Sequence, residues 1–330
     1  MHARRSLLSL AVLVALSGSA MADSSTVNTT QDGSSNSLKA EQQRATQSTV
    51  NINQTGTRNG AGALQSATYR TLNIKQDGFS NSASARQAGN NNTASVTQNG
   101  GGSSLPQVST IDQSGSYSTA TIAQDENNRT NASIIQGGGS NNTASTYQAH
   151  NSTIVGGGVT QSGNYNTGSV SQQNNSNTVV GSLTQSGNRN TGTVSQQYNS
   201  NLVTASLQQN GNGNTGSIQQ TDTHFSSAKV LQTGDTNAAS LYQNGSGMSA
   251  DVQQLGNSNF ASSTQTGAYN EESLLQTGNN NRAVVNQTGS GSGPSSGGIN
   301  LVGVTQNGNN MIANVSQTGG AGNTATILQH

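Results

Sequence analysis

The chain has 330 residues with 12 basic and 12 acidic side chains, and only 28% of its residues are hydrophobic, 3% aromatic and 7% charged. Glycine contributes 41 residues and proline two, which leaves about half the chain as Ser, Thr, Asn and Gln. This composition excludes a conventional core of Leu, Phe and Trp, and it lacks the charge and proline of ordinary disorder. It matches uncharged polar chains that order as β-structure.

Residues 1–22 read as a secretory signal peptide. Arg4 and Arg5 form the positive start, Leu7 to Leu16 the apolar stretch, and Ala20-Met21-Ala22 a small-x-small cleavage site with Ala20 and Ala22 at its recognition positions; the stretch is too short to span a membrane. Removing Arg4 and Arg5 takes the net charge from 0 to −2, with 10 basic and 12 acidic residues. Such a chain offers little attraction to nucleic acid or anionic membranes. No later stretch approaches membrane-spanning length, and there is no cysteine. Stability in an oxidising compartment must therefore come from something other than disulfides.

Residues 23–42 form an N-terminal segment with room for an export signal and a first, degenerate repeat. A regular array follows over 43–329. Gln recurs at a spacing of eleven through Gln54, Gln65, Gln76, Gln87 and Gln98, and again through Gln243, Gln254, Gln265, Gln276 and Gln287. Between these blocks the spacing is 11 to 13 for most steps, and the series resumes at Gln306, Gln317 and Gln329. Residues 161–184 and 185–208 match at 17 of 24 positions, so the middle carries a longer double unit. Two intervals are longer, and insertions are expected at 99–112 and 288–305. The two prolines, Pro106 and Pro294, fall there, as expected of a residue that cannot donate to a strand ladder.

Within a unit the pattern alternates with a period of two, which marks a strand. One face of the unit ending at Gln98 reads Asn92, Ala94, Val96, Gln98; the same face elsewhere reads Ala120 and Ile122 before Gln124, Asn259 before Gln265, and Asn281, Ala283, Val285 before Gln287. The Gly-x-x-Asn piece between strands supplies the turn, because Gly and Asn tolerate positive φ. A helix would need apolar residues three and four apart, and these are missing.

Two units make a strand–turn–strand coil of about 22–24 residues. Stacking some twelve coils places each strand parallel to its counterpart ~4.8 Å away and gives a rod about 60 Å long. The expected fold is all-β, a parallel cross-β solenoid. Its inward face pairs small apolar residues with Gln and Asn, whose amides hydrogen-bond to identical amides above and below. Neither end leaves room for a cap, so exposed strand edges should template further chains into an open filament.

The unit Gln-x-Gly-x-x-Asn-x-Ala-x-Val-x-Gln resembles the curlin repeat of bacterial curli subunits, over roughly residues 31–329. The resemblance implies an extracellular functional amyloid of the biofilm matrix that polymerises with itself. It also implies a nucleator subunit, a periplasmic chaperone and an outer-membrane secretion channel as partners. Regular repeats up to the last residues favour a major subunit over a minor, nucleating one. The Gly-rich export leader of the major curli subunit is not evident in residues 23–30.

No catalytic, cofactor or metal site is expected. His2, His150, His224 and His330 are scattered, and the glycine runs at 137–139 and 156–158 lack the Lys-Ser/Thr sequel of a phosphate loop. By the alternation Glu272 points inward, and we assign it as a gatekeeper that slows stacking through like-charge repulsion between molecules. Arg58, Arg70, Arg86, Arg189 and Arg282 fall near turns or at outward positions, on the expected fibre surface. A monomeric solenoid that binds surfaces, as an adhesin or ice-binding module would through outward Thr and Ser rows, is the rival function. The outward residues vary along the sequence, which argues against it.

Overall fold

The computed structural model describes residues 24–100, 106–126, 129–152, 154–291 and 298–330. The expected signal peptide, with Ala20 and Ala22, lies outside the described residues, as does Pro294. Twenty-six strands form two parallel sheets of thirteen. Alternate strands go to alternate sheets: sheet A runs from Thr26–Ser34 to Ile312–Thr318, and sheet B from Ser37–Gln42 to Thr324–Gln329. The chain thus winds as thirteen coils, about 60 Å along the stack. That is one coil more than the sequence suggests, because residues 26–42 form two strands paired in full register with the next coil.

The register places like on like. Gln54 sits on Gln76, Gln76 on Gln98, and Gln65 on Gln87. The two longer intervals do not interrupt this: Gln87 pairs with Gln113 and Gln276 with Gln306. Strand Val108–Gln113 occupies the end of the first interval and Asn300–Asn307 the end of the second. Pro106 falls in the first interval, ahead of its strand.

Glycine fixes the turns where coils touch. Gly56 has φ 104°, and a Cβ there would stand 2.1 Å from the carbonyl oxygen of Gly78 in the next coil. No L side chain fits such an approach. Arg58, two residues on, also has positive φ (59°) and turns the chain toward the next strand.

The core is the thin seam between the sheets, lined by one continuous cluster of buried apolar residues. Its volume is shared out coil by coil. Ile52, Ile74, Ile122 and Ile218 of sheet A share coils with Ala61, Ala83, Ala132 and Ala228 of sheet B. In the middle coils the small residue becomes glycine: a Cβ on Gly192 would lie 2.5 Å from Leu183, and one on Gly216 2.6 Å from Leu207. Interiors are packed to crystal-like density, so a larger residue on one sheet demands a smaller one opposite.

The two edges of the flattened coil differ. From a sheet-B Gln to the next sheet-A Gln the interval is always 11 or 12 residues; from sheet A to sheet B it ranges from 11 to 19. Both insertions and the extra residues of the middle coils fall on that second edge. There, Ser152, Ser176, Ser200 and His224 form a short additional ladder. Beside it Val155, Val179 and Val203 make a small separate apolar cluster.

Candidate functional site

The candidate site is the repeated surface on which one coil meets the next. Each strand ends by carrying a Gln into the seam, where the pleat turns its amide inward. In sheet A the amide nitrogen of each Gln donates to the amide oxygen of the Gln one coil on, from Gln31 through Gln54, Gln76 and Gln98 to Gln317. In sheet B the series runs from Gln42 through Gln65 and Gln87 to Gln329. The N···O distances are 2.6 to 3.2 Å over all the steps. The second N–H crosses the seam to the backbone at the start of the preceding strand. Gln54 donates to the Ser37 carbonyl (3.0 Å), Gln76 to Gly60 (2.9 Å) and Gln265 to Ser249 (3.1 Å). A primary amide has two donors and an acceptor, and this position uses all three. Glu would lack the donors and Leu would lack everything.

Gln54, Gln65, Gln76, Gln87, Gln98, Gln243, Gln254, Gln265, Gln276, Gln287 and Gln306 are all buried, while Gln317 and Gln329, in the last coil, are half-buried. Their axial amide bond is made only to the coil before; Gln317 and Gln329 keep the cross-seam bonds to Leu301 and Ile312 (3.0 and 3.1 Å). Ala94, Val96, Ala120, Ile122, Ala283 and Val285 are buried in the seam.

The asparagines act differently from the expected side-chain ladder. Asn92 accepts the backbone N–H of Ser118 (2.9 Å) and donates to the Gly115 carbonyl (2.7 Å). Asn259 accepts from the Asn281 backbone (3.0 Å) and donates to Gly278 (2.8 Å); Asn281 repeats this with Met311 (3.0 Å) and Gly308 (2.8 Å). Each Asn therefore ties its turn to the backbone of the next coil, satisfying groups that the strand ladder leaves unpaired. Where Asn is missing, Arg70 takes its place. It is not at the surface: it is 1% exposed, and its guanidinium donates to the carbonyls of Gly89 and Gln87.

Glu272 is buried in the seam, where Ser263 donates to its Oε2 and Oε1 has no partner among the described residues. Burial pushes its carboxyl up to about 7 from the usual carboxylate range, and the Ser263 bond opposes this only in part. Its neighbours along the stack are Ala250 and Val302, so no second carboxylate stands against it. The cost of its charge is desolvation. Ser263 was the residue missed in the sequence: it occupies the position held by Leu241 and Val285 in the coils on either side. As at Gly192 and Gly216, a small residue on sheet A makes room for a larger one on sheet B.

Among the described residues no group of three or more His, Asp or Glu could hold a metal ion, and no helix is long and apolar enough to cross a membrane. The family model of the curlin associated repeat matches residues 71–100 and 226–256. A search of curated proteins returned no match. Each matched segment spans three successive strands with their ladder glutamines, Gln76, Gln87 and Gln98 in the first and Gln232, Gln243 and Gln254 in the second, and the same pattern of Gln, Gly and Asn continues in register through the coils between and beyond them. Over these two segments the chain carries the curlin associated repeat.

Proposed function

We propose that the mature chain is a secreted structural subunit that stacks end to end into extracellular, curli-like amyloid fibres of a biofilm matrix, serving adhesion and aggregation. The observation that carries this reading is the amide ladder, which keeps one sense and one register through every coil, including across both insertions. A surface that fits its own copy at each step inside the chain fits the same surface on another chain. The coil ending at Gln329 then docks on the coil beginning at Thr26, Gln317 donating to Gln31 and Gln329 to Gln42, and the contact does not close on itself. The curlin resemblance supports passage through the periplasm with chaperoning, an outer-membrane channel and a separate nucleating subunit as partners.

The purified mature chain in dilute buffer should show a lag, then thioflavin fluorescence, with fibre reflections at ~4.7 Å and ~10 Å. Persistent monomer without those reflections overturns the reading. Replacing Gln76 and Gln265 together with Ala leaves the amide nitrogens of Gln54 and Gln243 and the amide oxygens of Gln98 and Gln287 without their ladder partners, at about 1–3 kcal/mol per buried group. The lag should lengthen; unchanged kinetics would show that the ladder does not drive assembly.

A further inference from the structure

We propose that the outward face of sheet A, over the strands from Thr93–Gly100 to Thr215–His224, is an ice-binding surface. The first residue of every sheet-A strand from Thr26–Ser34 to Thr215–His224 is threonine, nine in succession, each paired in register with the next. From Thr93 onward a second hydroxyl stands two residues along. Each strand then reads Thr-x-Ser or Thr-x-Thr, from Thr93-x-Ser95 through Thr119-x-Thr121 to Thr215-x-Ser217. Every Thr of these six strands is exposed at its first position.

Neither the fold nor the turn requires this. The matching first outward position of sheet B runs Ser82, Val108, Asn131, Gly156, Val180, Thr204 in the same kind of register. Sheet A itself continues past the rank with Ala238, Phe260 and Arg282 without losing pairing. Threonine suits any strand, but strand propensity would favour it equally on both sheets. The other sheet-A outward columns vary freely, as Lys75, Thr97, Ala123 and Tyr147 show.

What the double column supplies is a lattice. Neighbouring strands lie about 4.8 Å apart and alternate residues along a strand about 6.7 Å. Hydroxyls and methyls repeat at these spacings over six coils, with no charged, aromatic or amide group in either column. Each hydroxyl donates and accepts, and a rigid sheet holds the group with little entropy left to lose when water orders on it. The columns hold only Thr and Ser, with exposed Tyr117, Tyr147 and Tyr165 at their margins, so a glycan is the competing ligand the test separates from ice. The inference does not depend on fibre formation, since a single chain carries the whole lattice.

The test measures ice-crystal shape and inhibition of ice recrystallisation, with freshly purified chain and with assembled fibres. The natural chain should facet ice and slow recrystallisation. Thr167→Tyr, in the middle of the rank, should abolish both effects, while Thr204→Tyr on sheet B leaves them intact, with matching β-sheet circular dichroism in all three. If Thr167→Tyr does not fold, Thr167→Ala makes the same comparison with a smaller loss. The proposal is overturned if the natural chain acts on ice no more than an inert protein of similar size. Equal losses from the sheet-A and sheet-B variants overturn it too. So does a Thr167-dependent capture on an insoluble β-linked glycan without any action on ice, which would reassign the face.

Discussion

The two edges of the coil obey different rules. On the edge leading from sheet B to sheet A, the turn after Gln185 is closed by Gly187, Asn188 and Asn190, and each of these meets its equivalent in the neighbouring coil. Asn188 accepts from Asn164 and donates to Asn212 (both 2.9 Å). Asn190 donates to the Gly211 carbonyl (2.8 Å). On the opposite edge the chain lengthens and adds the Ser152–Ser176–Ser200–His224 ladder in four coils. The ladder of glutamines runs unbroken between them. Asn175 and Asn199 tie the opposite edge to its neighbours as well, each accepting from or donating to the next coil, so register is held at both edges and in the seam, and the second edge differs in carrying its extra chain between those ties.

The largest test of that asymmetry is a five-residue Gly/Ser insertion at each edge. Placed between Asn188 and Arg189 it separates the Asn188 and Asn190 contacts from their coil and should cost about 4 kcal/mol or more, as several buried hydrogen bonds are lost. Between Ser200 and Asn201 it should cost about 1 kcal/mol, since lengthening an existing loop is inexpensive. Equal losses in denaturant melts would abolish the distinction between the edges. Next in size is Gly187→Ala. Gly187 has φ 104°, and a Cβ would lie 2.0 Å from the Gly211 carbonyl oxygen. Strain and clash together should cost about 3 kcal/mol, read from the same melts.

A third test belongs to neither edge and calibrates the seam. The Glu272 carboxyl titrates at about 7 in the fold against an ordinary value of 4.5, so the folded state holds its proton more tightly than the unfolded chain. Its environment is therefore fully tolerated below pH ~4.5, and stability falls as pH rises from there through about 7, by about 3 kcal/mol. Glu272→Gln should flatten that slope and shorten the fibre lag at pH 8 while leaving it unchanged at pH 4. A lag at pH 8 equal to that of the natural chain would remove Glu272 as a brake on stacking.

Much of this architecture was legible in the sequence because it rests on a period. Gln87 to Gln98 to Gln113 marks the strand ends, the alternation from Asn92 to Gln98 marks the inward face, and glycine marks the turn. The features that escaped depend on partners that only register brings together. Arg70 looks like a surface charge until its turn is aligned with the asparagines of other coils. Ser263 explains Glu272 only when the two are seen across one seam. The outward threonines look irregular when the chain is read as a line, since every second unit belongs to the other sheet; sorted by sheet, nine of them fall in one column. The unequal edges were likewise present in the Gln spacings but hidden until each interval was assigned to its side. The first coil was undercounted because Thr29 takes the inward place that Ile52 holds in the next coil and Val27 is exposed, so its strands, Thr26–Ser34 and Ser37–Gln42, match the repeat less plainly.

The glutamine amides make the rod an arrow. Each points its N–H toward the C-terminal coil and none points back, so the two tips of any fibre differ in chemistry: one presents oxygens waiting for a donor, the other N–H groups waiting for an acceptor. Growth rates at the tips need not match, and a chain whose terminal glutamines were replaced by glutamate would stop one tip while leaving the other free to elongate.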